Sequence, residues 1–248
     1  MKKNYKMILS YDGTRYLGWE HQPGKETIQG KLEEVLSRMI NVPKEELEII
    51  GAGRTDAGVH AKGMAANVAM DTDMSPEEIR SYMNNYLPED ISVDELKVAS
   101  DRFHARYQAV GKTYCYTCFY GDRNPVFNRR YVTVLEKPLD VEKMKKAAGY
   151  LTGEHDYKSF CGNPRMKKST VRNVDEISIR QRNGYIYFTF HGTGFLQHMV
   201  RILTGTIVEV GEGKRSPESM TDILDACDRK AAGVTMPPKG LCLMQVDY

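Results

Sequence analysis

The 248-residue chain has no apolar run long enough to cross a bilayer. Its opening, MKKNYKMILSYDG, starts basic but offers only a three-residue apolar run, too short for a secretory signal. Cysteine is scarce, odd in number and scattered, with five in all. That argues against a disulfide framework and points to a reducing, cytoplasmic compartment. A large charge excess is also missing: 35 basic residues stand against 33 acidic ones, a formal net charge of +2. A dedicated nucleic-acid coat is more basic than this, although a local basic surface depends on where the charges sit. Metal-ligand spacing is absent among the six histidines. Cys115-Tyr116-Thr117-Cys118 is a lone C-x-x-C; on a strand its cysteines point to opposite faces, which makes chelation poor. There is no G-x-S-x-G nucleophile motif, no low-complexity segment and no stretch that reads as a flexible linker.

What is present is alternation of strand and helix patterns. YKMILSYDG reads as a strand, and Ile28, Leu32, Val35, Leu36, Met39 and Ile40 then recur at helical spacing. ELEII reads as a short strand ending at a glycine turn, and MAANVAM as the next strand. Ser75-Pro76-Glu77-Glu78 has the form of a helix start with a capping box. ISVDELKVA follows as a strand, completing β-α-β-β-α-β. The second half repeats that order. KTYCYTCFY and RYVTV are strands, and Val141, Met144, Ala148 and Leu151 mark a helix. His155-Asp156 reads as a local turn after that helix. NVDEISIRQ and YIYFTF flank Asn183-Gly184, a pair preferred in tight hairpins. FLQHMVRILTGTIVEVG has helical apolar spacing despite its Thr and Val, Ser216-Pro217-Glu218 starts a further helix, and LCLMQVDY closes as a strand. The expected fold is α+β: two ferredoxin-like β-α-β-β-α-β halves, residues 1–108 and 109–248, sharing a continuous antiparallel sheet.

GAGRTDAGVHA, residues 51–61, holds the chemistry. A dinucleotide fingerprint needs a third glycine and a following helix. Here Asp56 takes that place, its carboxylate would repel a diphosphate, and the chain continues toward a strand. The phosphate loop of nucleotide hydrolases is excluded too, because no G-K-[ST] follows at the right spacing. The glycines instead allow close backbone approach. Arg54 can bond phosphate or stack on a base, and Asp56 can act as a nucleophile. By residue type alone, a structural turn with an Arg–Asp ion pair accounts for the segment as well.

The whole string closely resembles the catalytic motif of the TruA family of tRNA pseudouridine synthases. YDGTRYLGW resembles the family's N-terminal strand and loop, and FHARYQAVGKTYCY its second motif. FLQHMVRILTGTIVEVGEG and GLCLMQVDY resemble its last segments. Motif order and chain length also agree. The resemblance implies the pseudouridine synthase fold and the isomerisation of uridine in RNA without any cofactor. It assigns Asp56 as nucleophile, Tyr114 as the aromatic that stacks on the target base, and Arg201 as the basic partner of the nucleophile. It also implies base flipping, with Arg54 filling the gap, and Leu243 lining the uracil pocket. Pattern alone leaves Tyr114 open as an ordinary strand aromatic and Arg201 as an arginine that reaches solvent. His60 reads as support for the turn and is kept out of the catalytic set. The implied substrate is tRNA, at positions thirty-eight to forty of the anticodon stem-loop, and the implied assembly is a homodimer. Met64 and Glu20 stand where glutamines are usual in the family, and RMKKSTVR differs from the common version. These departures leave open another structured RNA, such as ribosomal RNA, as substrate, or a non-catalytic RNA-binding module.

Basic residues cluster at Arg129-Arg130, Lys143 with Lys145-Lys146, Arg165 with Lys167-Lys168, Arg180 with Arg182, and Lys214-Arg215. Each alone fits a solvated face. GNPRMKKSTVR suits a loop lying along phosphates best, so Arg165, Lys167 and Lys168 are the RNA-contact candidates. Binding through such contacts falls steeply with salt.

Overall fold

The computed structural model describes residues 2–163 and 165–248. Met1 and Pro164, the proline of GNPRMKKSTVR, lie outside them. The fold is α+β with a large mixed sheet. The chain divides into two compact units, residues 1–110 with 243–248, and residues 111–242.

The first unit runs β1 (Lys3–Tyr11), α1 (Ile28–Ile40), β2 (Ile50–Gly51), β3 (His60–Met70), α2 (Pro76–Tyr86) and β4 (Ile91–Ala99). This is the order that the hydrophobic periods predict. Strand β1 lies between β4 and β3, antiparallel to both. Tyr5, Met7 and Leu9 of β1 are buried, alternating with half-buried Lys6, Ile8 and Ser10, as a strand with one core face requires. Ile28, Leu32 and Leu36 of α1 and Ile79 and Met83 of α2 supply the helical side of the core. The capping box of α2 is present: the Ser75 hydroxyl accepts from Glu78 N–H at 3.3 Å, and the Glu78 carboxylate accepts from Ser75 N–H at 2.7 Å. These bonds hold the Glu78 carboxyl below its usual range. ELEII departs from its reading. Lys44–Glu46 form a 3-10 turn, and only Ile50 and Gly51 find ladder partners, in Asn67 and Ala66. Leu47 and Ile49 are buried without a ladder, so their apolar character mimics a strand.

The second unit runs β5 (Gly111–Phe119), β6 (Thr133–Val134), α3 (Val141–Tyr150), β7 (Gly153–Asp156), β8 (Val171–Val174), β9 (Glu176–Arg182), β10 (Tyr185–Gly192), α4 (Met199–Gly211) and α5 (Ser219–Ala226). Strand β11 (Leu241–Asp247) begins in this unit and ends in the first. β10 is antiparallel to β5 and β9, whereas β6 runs parallel to β5, which makes the sheet mixed. Asn183 and Gly184 both have positive φ, 51° and 81°, the backbone of the expected hairpin turn.

Four segments differ from their reading. His155 and Asp156 are in strand β7, paired with Arg172 and Val171, not in a turn. NVDEISIRQ breaks at Asp175 into β8 and β9, and the Asp175 carboxylate meets His191 Nδ1 at 2.7 Å. RYVTV forms a ladder only at Thr133 and Val134. Helix α5 starts at Ser219, after a turn in which Ser219 N–H donates to the Ser216 carbonyl.

Helix α4 is almost wholly buried. Its threonines are tolerated because the hydroxyls of Thr204 and Thr206 bond back to the carbonyls of Val200 and Ile202, both at 2.8 Å. Gly205 lets residues 233–236 run against the helix, since a Cβ there would lie 2.0 Å from the Val234 carbonyl oxygen. Gly205→Ala is therefore expected to destabilise the protein by about 1–3 kcal/mol or more, although alanine is the better helix former. Gly149→Ala in α3, where nothing lies within 4 Å, is expected to stabilise by up to about 1 kcal/mol. Thermal melts of the two variants, which should move in opposite directions, check the assignment.

Candidate active site

The turn at residues 52–59 joins β2 to its antiparallel neighbour β3. No helix follows it, which removes the anion site that a dinucleotide fold needs. The turn is held by the loop after β1. Asp12 accepts from Thr14 N–H at 2.9 Å and starts a 3-10 turn at Gly13–Arg15. Trp19 N–H donates to the Thr55 carbonyl at 3.1 Å, and Gly58 N–H to the Tyr16 carbonyl at 3.2 Å. The hydroxyls of Tyr11 and Thr55 meet at 2.8 Å. Val59 N–H donates to the Asp56 carbonyl at 3.1 Å. The Tyr16 hydroxyl in turn donates to Asp90 at 2.5 Å.

Three glycines of these two segments permit this packing. A Cβ on Gly13 would lie 2.0 Å from the Val59 carbonyl oxygen, and one on Gly51 would lie 2.5 Å from the Trp19 ring. Gly18 has φ of +94°, and its Cβ would lie 2.5 Å from the Thr55 carbonyl oxygen. His60, the first residue of β3, is buried, and its Nδ1 accepts from Gly13 N–H at 3.0 Å. A backbone amide can only donate, so this nitrogen carries no proton there. The nearby Asp12 oxygen, 3.2 Å from the same atom, is thus a polar neighbour and not the acceptor of a charged bond from Nδ1.

Asp56 is half-buried within this clamp. Arg54, two residues earlier, is exposed and pairs with Glu20 at 2.5 Å. Both partners of that pair are largely in solvent, so it stabilises by at most about 1 kcal/mol and is readily released. Leu243, on β11 and in the same unit, is 1 % exposed.

A cavity of about 320 Å³ adjoins the turn. Gly51, Gly53 and Arg54 line it, together with Trp19, His104 and Tyr107. His104, Arg106 and Tyr107 belong to FHARYQAVGKTYCY, from which the sequence reading takes only Tyr114. The unusual run of His, Arg and Tyr in that string is the signal that could have found them.

Tyr114 and Arg201 belong to the second unit. Tyr114, Tyr116 and Cys118 are buried on one face of β5, as alternation predicts. The Tyr114 ring meets Phe195 edge-on, with centroids 5.2 Å apart. Tyr116 is a structural residue. Its hydroxyl donates to the Pro237 carbonyl at 2.7 Å and meets the Thr133 hydroxyl at 2.6 Å, and burial pushes its phenol far up. Burial likewise pushes the Cys118 thiol up to about 12, leaving it inert at neutral pH. Cys115, on the other face, is half-buried. Arg201 on α4 is half-buried, and its Nε donates to the Met236 carbonyl at 2.7 Å. Among the described residues, no three His, Cys, Asp or Glu side chains gather as metal ligands.

The basic clusters separate by their partners. Lys143, Lys145 and Lys146 pair with Asp140, Glu142 and Glu218, and Lys214 and Arg215 pair with Glu212 and Glu209. Arg165, Lys167 and Lys168 are exposed and, like Arg180 and Arg182, have no ion pair among the described residues.

The family model described as tRNA pseudouridine synthase matches residues 7–108 and 147–248. The chain belongs to this family. A tRNA pseudouridine synthase A 2 of Clostridium perfringens is 42% identical over 246 residues, covering 99% of this chain and 100% of that protein. A tRNA pseudouridine synthase A of a Bacillus species, strain KSM-64, is 45% identical over 231 residues, 93% of each chain.

Proposed function

We propose that the chain isomerises uridine to pseudouridine in the tRNA anticodon stem-loop, at positions thirty-eight to forty, with Asp56 as the nucleophile. The observation that carries this reading is the placement of Asp56. In a chain of this family, Asp56 sits on a turn that close contacts at three separate glycines and two backbone bonds to the neighbouring loop, Trp19 N–H to Thr55 and Gly58 N–H to Tyr16, hold in place. The reaction breaks the bond from uracil N1 to the ribose, turns the base over, and joins C5 to the ribose carbon. The proton on C5 leaves and N1 gains one, so nothing is oxidised and the atoms balance without a cofactor. An ionised carboxylate can attack the ribose carbon or uracil C6, or assist loss of the base.

The remaining roles follow the family's pattern. Tyr114 stacks on the base and its hydroxyl takes part in proton removal. Arg201 is the charge that favours an ionised Asp56. Leu243 lines the uracil pocket. Arg54, whose pairing with Glu20 is weak, takes the place of the extruded base. Arg165, Lys167 and Lys168 contact phosphates, being exposed and without an ion pair among the described residues. In this reading residues 1–108 are the half that carries the catalytic loop, residues 109–248 are the other half, and the protein works as a cytoplasmic homodimer.

The test is to incubate purified protein with unmodified tRNA transcript and map pseudouridine by carbodiimide-dependent reverse-transcription stops. Stops confined to the anticodon stem-loop are expected. Stops in ribosomal RNA alone would move the substrate and keep the reaction; stops in neither would overturn it.

A further inference from the structure

We infer that the cavity beside the turn is a subsite for one nucleotide flanking the reacting uridine, with Tyr107 stacking on its base and Arg106 holding its phosphate. The inference rests on the reading of Asp56 as the reacting group. The cavity is built wholly from the first unit. At about 320 Å³ it lies at the lower end of small-ligand pockets, room for one nucleotide and not for a duplex. Gly53 and Arg54 of the turn that carries Asp56 line it, as do His104, Arg106 and Tyr107.

Tyr107 is 80 % exposed, which is costly to explain as packing. One side of its ring stacks on His104, with centroids 4.1 Å apart and planes at 29°. A base on the other side would extend the stack. The platform is already in place. His104 Nδ1 accepts from the backbone N–H groups of Arg106 and Tyr107, both at 3.2 Å, which puts the imidazole proton on Nε2. Asn67 accepts from Ala105 N–H at 2.8 Å. Asn4 donates to the carbonyls of Ser100 and Phe103 at 3.0 and 2.9 Å, and the Tyr248 hydroxyl to that of Ala105 at 2.8 Å. A surface ordered in advance loses little entropy when it binds.

Charge sets the orientation. Arg106 is exposed and has no ion pair among the described residues, so it is available to a phosphate. Glu20, which pairs with Arg54, and Glu48 also line the cavity. They disfavour phosphate on their side and suit the exocyclic amino group of a base.

The experiment uses the full chain with tRNA transcripts, reading the Kd and the single-turnover rate at saturating protein. Stacking on an aromatic ring is worth roughly 5- to 150-fold in affinity per base. Tyr107→Ala is expected to weaken binding about tenfold, with the saturating rate within about twofold of wild type. Tyr107→Phe, which keeps the ring, should bind like wild type. Arg106→Gln should weaken binding and lower the salt slope by about 0.7. Transcripts with an abasic site at each nucleotide flanking the target locate the partner: at one position, and only there, Tyr107→Ala should cause no further loss. Wild-type affinity of Tyr107→Ala would overturn the subsite, as would a tenfold loss that persists on every abasic transcript. In the Asp56→Asn background the same loss of affinity should appear without turnover. An active Asp56→Asn protein would instead overturn the catalytic reading and leave the binding result standing.

Discussion

Asp56→Asn is expected to lower the single-turnover rate of pseudouridine formation by at least about 10⁴-fold while leaving tRNA affinity at or slightly above wild type. The substitution changes one oxygen to an amide nitrogen and keeps the volume, so the turn retains its shape. The bonds from Trp19 N–H to Thr55, Gly58 N–H to Tyr16 and Val59 N–H to Asp56, and that between the Tyr11 and Thr55 hydroxyls, involve only backbone or other side chains and are not altered. What disappears is the negative charge, the one property a neutral amide cannot supply as a nucleophile. Losing a negative charge does not weaken an interaction with a polyanion. The rate is read by tritium release from tRNA labelled at uracil C5, because that proton must leave when C5 becomes the glycosidic carbon. A structural role for Asp56 makes the opposite forecast: Asp56→Asn would lower the melting temperature and leave most of the rate. Measuring both quantities on one preparation separates the two.

The parts of this molecule that were legible in the sequence are those with local causes. Helix α2 starts at Pro76 because Ser75 and Glu78 cap each other, four residues that can be read off directly. The Asn183-Gly184 hairpin and the alternation of Tyr114, Tyr116 and Cys118 are local in the same sense. The extents of the strands of two to four residues were not legible, and β7 was missed altogether. Ile50 and Gly51 are strand only because Asn67 and Ala66 lie opposite, and His155 only because Arg172 does. Asp56 stood out because a carboxylate replaces the glycine that a phosphate-binding turn requires. Its supports could not be read the same way. The His60–Gly13 and Tyr16–Asp90 bonds join residues 47 and 74 positions apart, and the Asn4–Phe103 bond that steadies His104 spans 99. Such partners are chosen by the tertiary fold, and a single sequence holds no record of the choice.

Among those supports, Gly18 offers the sharpest test of whether the loop after β1 sets the position of the nucleophile. Gly18→Ala is expected to lower kcat about 10²-fold, with a smaller change in KM, in a protein that still folds. Two costs coincide at this residue. Its φ of +94° is a conformation that an L side chain enters only with strain, of order 1–3 kcal/mol. The added methyl would also stand 2.5 Å from the Thr55 carbonyl oxygen and 3.2 Å from the Asp56 carbonyl carbon. Both are backbone atoms, so relief requires the turn itself to move. A displacement near 1 Å at the reacting carboxylate is enough for the expected loss. Gly24→Ala separates the two costs. Gly24 has φ of +69° in the same loop, with nothing within 4 Å, so alanine there brings backbone strain of about 1–2 kcal/mol without a collision. Its melting temperature should fall while its kcat stays at the wild-type value. Equal kcat losses in both variants would trace the effect to general loosening of the loop, and a wild-type kcat for Gly18→Ala would show that the turn holds Asp56 without this contact.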